Sequence, residues 1–319
     1  MCLISISIFV SMKGKVVKST GKHYTIKTSD GKLIKCFLKG NFRIKDIRST
    51  NPVVVGDNVV LKKESDRWVI VELDERKNYI IRKSVKLSKQ IHVIAANIDQ
   101  AILIITLKSP ITSTGFIDRF LVAAKAYGVE VILCFNKLDL LDDELQVKQK
   151  SLQKMYENIG YSCISTSLIK DDISAIKSFM QGKVNIISGH SGVGKSTLIN
   201  KLQSDLNLNT VEISKVHQQG QHTTTFSELY DLDFGASVID TPGIKGFGLV
   251  EFSVNEIGNY FPEFISLKQD CKFYNCIHKD EPDCAIKFAV ENNVVDKNRY
   301  KNYLSMIVSE SNNFRTNKY

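Results

Sequence analysis

The chain of 319 residues is long enough for two or three domains, and its 43% hydrophobic and 24% charged residues exclude wholesale disorder. Its net charge of +9 is concentrated at the start, since residues 1–90 hold 20 Lys and Arg against 8 Asp and Glu, and the remainder hold 23 against 26. This distribution favours a polyanionic partner such as RNA over a merely solvated lysine-rich surface.

The first segment, "MCLISISIFV", is apolar but short, and it lacks a basic leader. About twenty apolar residues are needed to span a bilayer, so we expect residues 1–11 to be disordered or to precede a true start at Met12. No other segment has transmembrane length. We therefore expect a soluble, cytoplasmic monomer that does not contact membranes, and the seven cysteines are not expected to form a disulfide framework.

A basic β-barrel is predicted over residues 1–88. From Met12 to Lys89, short alternating apolar runs are separated by turn residues, with Ser29-Asp30-Gly31 as a hairpin turn. Five or so short strands with a basic surface are typical of an OB-type barrel, although SH3-like barrels have the same pattern. Trp68 is interpreted as barrel packing rather than as a base-stacking residue.

A doubly wound α/β domain is predicted over residues 89–249. The runs "QAILIITL" and "EVILCFN" are typical of buried parallel strands, and residues 114–128 between them have helical spacing. Further strands are expected at "NIISG" and "ASVIDTPG", with helices over 143–159 and 196–203. Alternation of strands and helices indicates this fold. Residues 250–319 are predicted to form a mainly helical domain that ends with a helix in "NRYKNYLSMIVSE".

The tetrapeptide "NKLD" at residues 136–139 resembles the guanine-reading motif of GTPases, although such a tetrapeptide alone is common by chance. It closes a predicted strand at the carboxyl edge of the sheet, where open α/β folds bind ligands. Asp139 can accept hydrogen bonds from guanine N1–H and N2–H, a pair that adenine does not offer. Asn136 can join neighbouring loops, and the stem of Lys137 can lie over the purine ring. Another helix and strand lead to "SCISTS", where Ser165 and Thr166 are predicted to face the base oxygen.

A phosphate-binding loop is predicted at "GHSGVGKST", which matches G-x-x-x-x-G-K-[ST] between a strand and a helix. Its glycines allow successive N–H groups to face phosphates, and the helix N-terminus adds to this. We expect Lys195 to bridge the β- and γ-phosphates and Ser196 to bind Mg²⁺. The predicted nucleotide contacts are Gly189, His190, Ser191, Gly192, Val193, Gly194, Lys195, Ser196 and Thr197. Because the guanine motif precedes this loop, we predict a circularly permuted GTPase domain rather than a chance tetrapeptide.

The motif "VIDTPG" is expected to complete the triphosphate site. Asp240 would hold Mg²⁺ through water, and the N–H of Gly243 can reach the γ-phosphate. The following position, where many GTPases carry a water-orienting glutamine, is Ile244. A hydrophobic side chain cannot orient the attacking water, so another residue is required.

The loop "GQHTTT" at residues 220–225 offers that residue. His222 is predicted to be the catalytic group that orients the attacking water, the alternative being a solvated loop histidine. His190 within the phosphate loop is the second candidate for this role. Thr224 or Thr225 is expected to close over the γ-phosphate, and Thr224 is the preferred Mg²⁺ ligand.

A structural zinc site is predicted in "CKFYNCIHKDEPDC", with the spacing C-x4-C-x-H-x5-C. Three thiolates and one imidazole fill the four positions of a tetrahedral Zn²⁺, which leaves none for a substrate. The predicted ligands are Cys271, Cys276, His278 and Cys284. The other cysteines are interpreted as core residues: Cys2, Cys36, Cys134 and Cys163.

The order NKLD, GHSGVGKST, GQHTTT, DTPG and the cysteine pattern resembles the ribosome-small-subunit-dependent GTPase A family, over nearly the whole chain from Met12. The resemblance implies a factor in late maturation that binds the 30S subunit near its decoding region and its 16S rRNA. It also implies GTP hydrolysis to GDP stimulated by that subunit, with His222 as the catalytic residue. Two features depart from the pattern: the extension before Met12, and "STS" in place of the more usual Ser-Ala base loop.

Alternatives to this function are a GTPase switch acting on a protein, membrane or other non-ribosomal partner, and an RNA-binding scaffold that uses GTP only to fix its shape. The first does not explain the basic N-terminal quarter, and His222 argues against the second. An ATPase is disfavoured by NKLD. Because the segment after DTPG leads directly into the cysteine-containing module, we also expect loss of the γ-phosphate to affect that module.

Overall fold

The computed structural model describes residues 11–21, 23–39, 51–64, 66–82, 92–202, 227–240 and 253–316. The strands among these residues are β1 (Ser11–Ser19), β2 (Tyr24–Thr28), β3 (Leu33–Leu38), β4 (Asn58–Glu64), β5 (Arg67–Leu73), β6 (Tyr79–Arg82), β7 (His92–Ala96), β8 (Gln100–Ile105), β9 (Glu130–Phe135), β10 (Ser162–Ser165), β11 (Val184–Ser188), β12 (Glu228–Leu232) and β13 (Ala236–Asp240). The helices are α1 (Thr114–Ala126), α2 (Asp143–Asn158), α3 (Ser174–Met180), α4 (Lys195–Leu202), α5 (Val254–Ile257), α6 (Pro262–Ile265), α7 (Ala285–Glu291) and α8 (Lys297–Thr316). Single 3₁₀ turns lie at Leu138–Leu140, Gly258–Tyr260 and Lys268–Asp270.

The chain forms two compact units, each assembled from three segments. The first unit comprises Met1–Asp99, Met180–Ile186 and Asp205–Ile244. The second comprises Gln100–Phe179, Ile187–Ser204 and Lys245–Tyr319. These units group segments by contact, so the domain boundaries predicted after residues 88 and 249 stay predictions.

A five-stranded barrel forms the N-terminal part of the first unit. Its strands close in the order β1-β2-β3-β5-β4 with β4 returning to β1, and every pairing is antiparallel except β3 with β5. This ring has the five strands of an OB-type barrel, as predicted. Alternating side chains such as Val16, Ile26 and Ile70 fill its core, and the half-buried Trp68 packs against them, so base stacking by its exposed part stays untested.

The same unit holds a second set of strands. Strand β12 pairs antiparallel with β13, β13 pairs parallel with β11, and Lys18 of β1 pairs with Glu228 of β12. Strands β6 and β7 form a hairpin. Beside it, Gly56 has φ +92°, and a Cβ there would lie 2.0 Å from the carbonyl oxygen of Ala96. This position therefore requires glycine.

The second unit is built on a parallel sheet in the order β10-β9-β8. Every residue of β8 is buried, as expected of a parallel strand covered on both faces. Helix α1 begins where Ser113 accepts a hydrogen bond from the Phe116 N–H, and the chain turns at Gly128 with φ +66°. Helix α2 begins similarly at Asp142, whose carboxylate accepts from the Leu145 N–H.

The C-terminal part of the second unit is mainly helical, as predicted. Phe261, Phe264 and Tyr303 pack as edge-to-face and stacked rings in a core formed mainly by residues 257–307, which Val122 of α1 joins. Of the cysteines interpreted as core residues, Cys36 and Cys134 are buried, Cys163 is half-buried, and Cys2 lies outside the described residues. No helix within the described part of the chain is long and apolar enough to cross a membrane.

Candidate functional site

The phosphate loop lies between β11 and α4, as the sequence predicts. Gly189 and Gly194 have φ values of +140° and +112°, which favour glycine. A Cβ on Gly189 would lie 2.6 Å from the Ile104 carbonyl oxygen, and one on Gly194 would lie 2.4 Å from the Asn136 amide nitrogen. The two glycines are therefore required both by backbone conformation and by the close approach of neighbouring strand ends.

Lys195 folds back over this loop. Its Nζ donates hydrogen bonds to the carbonyl oxygens of Gly189, at 2.7 Å, and His190, at 2.5 Å. Burial lowers the pKa of Lys195. The lysine thus has its ammonium group at the loop, where a phosphate would supply the counter-charge.

Asn136 joins the guanine motif to the phosphate loop. Its Nδ2 donates a 2.7 Å hydrogen bond to the Val193 carbonyl oxygen, and its Oδ1 accepts a 2.9 Å bond from the Leu168 N–H. The side chain is buried, so both bonds are shielded from water. Three loops that are distant in sequence are held together by one amide, which is the linking role predicted for this residue.

The other two residues of the motif are held by neighbouring loops. Lys137 has a left-handed backbone with φ +64°, and its Nζ donates to the Ser109 carbonyl oxygen at 2.5 Å. The backbone N–H of Asp139 donates to the Ser167 hydroxyl at 3.1 Å. Neither contact engages the Asp139 carboxylate, the group predicted to read guanine.

The predicted base loop is held by contacts within the protein. The Thr166 N–H donates to the Phe135 carbonyl oxygen within the sheet, and the Ser165 hydroxyl bonds to Gln153 on α2. Asp171 instead organises the loop, because its carboxylate accepts from the Ser167 N–H and the Thr166 hydroxyl. The guanine contacts of Ser165 and Thr166 stay predictions.

Sequence reasoning missed Ser167 and Asp171. Asp171 is followed by a second aspartate, Asp172, whose carboxylate instead accepts a hydrogen bond from the Ser174 N–H at the start of α3. Nothing in the spacing distinguishes the two, so the only available signal was the general tendency of Asp to bond nearby backbone N–H groups in turns.

Several predicted site residues lie outside the described part of the chain. These are His222, Thr224, Thr225 and Gly243. Asp240 is described and ends β13, as the sequence predicts. The catalytic and Mg²⁺-binding roles of these residues stay predictions.

The cysteine cluster gathers its four predicted ligands, Cys271, Cys276, His278 and Cys284, with one ligand atom of each lying within 4.8 Å of the others. His278 Nδ1 lies 3.5 Å from the Sγ atoms of Cys271 and Cys284, and these sulfurs are 4.0 Å apart. A tetrahedral Zn²⁺ with Zn–S of about 2.3 Å and Zn–N of about 2.0 Å requires separations of about 3.5 to 3.8 Å. The two nitrogen–sulfur distances match these separations and the sulfur–sulfur distance is slightly longer, so the donor set fits this ion.

The loop around His278 is shaped by a carboxylate. His278 has φ +57°, and Glu281 accepts hydrogen bonds of 2.8 Å from the N–H groups of Ile277 and Lys279. Such outer contacts orient metal ligands before the ion binds.

Comparisons with known proteins identify the family. The family model described as RsgA GTPase matches residues 73–250, and the family model described as RsgA N-terminal domain matches residues 13–71. The chain belongs to the RsgA GTPase family. It is therefore a GTP hydrolase, as the motifs predicted.

RsgA proteins of known sequence are similar over nearly their whole length. Those of Flavobacterium johnsoniae and Bacteroides fragilis, each named small ribosomal subunit biogenesis GTPase RsgA, are 52% and 50% identical to this chain. The alignments cover 97% of this chain and 96% of the first protein, and 93% and 96% for the second.

Solved structures agree with the RsgA assignment. YjeQ from Thermotoga maritima matches with a TM-score of 0.76 and 33% identity, over 94% of this chain and 98% of that one. YloQ, described as a circularly permuted GTPase, matches with a TM-score of 0.75 and 29% identity, over 95% and 96%. The predicted circular permutation is confirmed.

Proposed function

We propose that this ribosome-biogenesis GTPase binds the small (30S) ribosomal subunit through its 16S rRNA and hydrolyses GTP to GDP and phosphate during late maturation of that subunit. The names of the RsgA relatives support the choice of subunit. The +12 balance of residues 1–90, 20 basic against 8 acidic, supports rRNA as the ligand of the barrel. We further propose that the protein acts as a cytoplasmic monomer.

The nucleotide part of the proposal depends on one observation, the hydrogen bond from Asn136 to Val193 at 2.7 Å. It joins the guanine motif to the phosphate loop although the two occur in reversed order along the chain. Because the guanine motif and the phosphate loop share a buried contact, they are proposed to bind the base and the phosphates of one guanine nucleotide rather than to be two unrelated loops.

Each group then has a proposed task. Backbone N–H groups of residues 189–197 bind the phosphates, Lys195 neutralises charge on them, and the Asp139 carboxylate selects guanine. Ser196 and Thr224 (or Thr225) hold Mg²⁺, assisted by Asp240, and this ion neutralises the developing charge on the phosphate oxygens. His222 orients the attacking water, since Ile244 cannot.

The metal at Cys271, Cys276, His278 and Cys284 is proposed to be one structural Zn²⁺. All four positions of a tetrahedral ion would be filled by protein, so no position is left for water or substrate. The ion would then stabilise the fold of the C-terminal domain predicted over residues 250–319.

The test is GTP turnover by the protein alone, with purified 30S subunits and with purified 50S subunits as a matched control, for wild type and His222→Ala. We expect stimulation by 30S and not by 50S, and a loss of about 10²- to 10⁴-fold of the stimulated rate in His222→Ala. Nucleotide affinity of the variant, measured with a fluorescent GDP analogue, separates a catalytic defect from misfolding.

Other outcomes distinguish the alternatives. Intact GTP binding without 30S stimulation would remove the subunit from the proposal and favour a non-ribosomal partner. Binding of 30S without any turnover would favour a scaffold that uses GTP only to fix its shape. Full stimulation in His222→Ala would assign water orientation to another residue.

A further inference from the structure

Helix α1 contacts the phosphate loop through its first turn. The Phe116 ring lies against the His190 ring, with centroids 4.0 Å apart and planes inclined by 33°. The His190 carbonyl oxygen in turn accepts a hydrogen bond from Lys195 Nζ. The position of α1 therefore fixes the side chain of His190, whose own carbonyl accepts from the phosphate-binding lysine.

Two residues after Phe116, α1 is joined to α8 by a buried ion pair. Arg299 donates to Asp118 at 2.5 Å, and these side chains are 2% and 0% exposed. The same guanidinium donates to Glu263 at 2.6 and 3.0 Å. The second oxygen of Asp118 accepts from Asn302 at 2.6 Å. Buried charges tolerate little displacement, because removal of one partner leaves an uncompensated charge, so α1 and α8 are expected to move together.

Helix α8 also contacts the metal loop, residues 271–284, which carries the four predicted ligands. The Tyr300 hydroxyl donates to the His278 carbonyl oxygen at 2.7 Å, and the Tyr303 hydroxyl donates to the Ile277 carbonyl oxygen at 2.6 Å. One of these carbonyls belongs to a predicted metal ligand and the other to its neighbour. The arrangement of the metal loop is thus communicated directly to α8.

From these contacts we infer that the metal cluster and the nucleotide site are energetically coupled through α8 and α1, with Phe116 as the residue that positions the phosphate loop. Metal binding fixes the carbonyls of Ile277 and His278, which fixes α8, its pair with Asp118 and the ring of Phe116. This path differs from the segment after DTPG. The inference rests on the proposed function in taking the metal as Zn²⁺ and the nucleotide as GDP or GTP.

Coupling of two binding sites is reciprocal, so bound nucleotide must change metal affinity by the same factor as metal changes nucleotide affinity. The experiment measures Zn²⁺ affinity of the full-length protein by competition with a metal-buffering chelator, with and without saturating GDP. We expect GDP to tighten Zn²⁺ binding in wild type by about fivefold or more.

Two variants test the path. Phe116→Leu keeps an apolar side chain on α1 but removes the aromatic ring that contacts His190. His190→Gln removes the other ring of this contact, the one on the phosphate loop. In both, with GDP raised until it saturates, the ratio of Zn²⁺ affinities with and without GDP should fall close to one. Lys125→Ala, on an exposed position of α1, should keep the wild-type ratio.

The inference is overturned if wild-type Zn²⁺ affinity is the same with and without bound GDP, or if the ratio survives in Phe116→Leu and His190→Gln. Where Phe116→Leu does not fold, His190→Gln alone decides. Absence of stoichiometric Zn²⁺ would overturn the proposed metal and this coupling together. Absence of 30S stimulation would overturn the proposed partner and leave the coupling intact.

Discussion

The amide nitrogen of Asn136 donates a 2.7 Å hydrogen bond to the carbonyl oxygen of Val193, 57 residues further along the chain. Its oxygen accepts from the Leu168 N–H, so one buried side chain satisfies polar groups of two other loops. The guanine reader and the phosphate loop therefore form a single site whichever of them comes first in sequence.

We expect Asn136→Ala to weaken both GDP and GTP binding by at least about tenfold. The substitution leaves the Val193 carbonyl and the Leu168 N–H buried without their partner, and each such unsatisfied group costs about 1–3 kcal/mol. Titration with a fluorescent GDP analogue measures the effect. Asn158→Ala, at an exposed position of α2, is the matched control and should bind as wild type. Equal affinities for wild type and Asn136→Ala would mean that the loops hold without this amide.

Ser167→Ala is expected to raise the Kd for GDP by roughly two- to tenfold and to reduce the preference for GTP over ATP. Its hydroxyl accepts from the Asp139 N–H at 3.1 Å, and removing a hydrogen bond of this kind costs about 0.5–1.5 kcal/mol. Competition of GTP and ATP against the fluorescent analogue measures both effects. In Ser178→Ala, which removes a hydroxyl from an exposed position of helix α3, neither value should change. A uniform loss of affinity for both nucleotides would contradict a role in base selection.

The contrast between Asn136 and Ser167 shows what the sequence could predict. The residues of NKLD and of the phosphate loop can be identified from their spacing, because binding guanine and phosphate requires those residue types in that order. The barrel and the parallel strands were predictable for a related reason, since alternation and continuous apolar runs report burial directly. Helix bounds were less certain, and α4 begins at Lys195, one residue before the predicted start.

The supporting contacts were not predictable from one sequence. Ser167 has no motif of its own, and its role depends on where the sheet places Asp139. Arg299 and Asp118 are 181 residues apart, and each alone is typical of an exposed helical charge. Their burial follows from the packing of α8 against α1, which periodicity within either helix does not specify.

Arg299→Met should reduce the free energy of unfolding by about 3–5 kcal/mol, because it leaves the buried carboxylate of Asp118 and the partly buried one of Glu263 without their cation. Burial raises the pKa of Asp118, so part of the destabilisation is relieved by protonation at low pH. Urea unfolding of the full-length protein measures the change. Lys272→Met breaks an exposed pair with Asp283 and should cost less than about 1 kcal/mol. Similar destabilisation in both variants would show that the buried pair contributes no more than a surface one.

Cys284→Ser is expected to abolish stoichiometric zinc binding and to lower the melting temperature by several degrees, because the metal holds a loop that packs on α8. Metal content by mass spectrometry and thermal unfolding by circular dichroism provide the measurements. Cys163→Ser removes a cysteine outside the cluster and should keep both values. Retention of zinc in Cys284→Ser would exclude this thiol as a ligand.

The barrel surface offers the most direct test of RNA binding. Lys35 on β3 and Lys63 on β4 are both exposed, and reversing them to Glu removes positive charge from the barrel alone. We expect the double variant to bind a 16S rRNA fragment more weakly than wild type. The slope of log affinity against log salt concentration should also become shallower, by about 0.7–0.9 for each phosphate that these lysines neutralise in the wild type. The matched control, Lys125→Glu with Lys148→Glu, makes the same change of net charge on α1 and α2. If both double variants weaken binding equally, the attraction depends on total charge, and the barrel is not the RNA-binding surface.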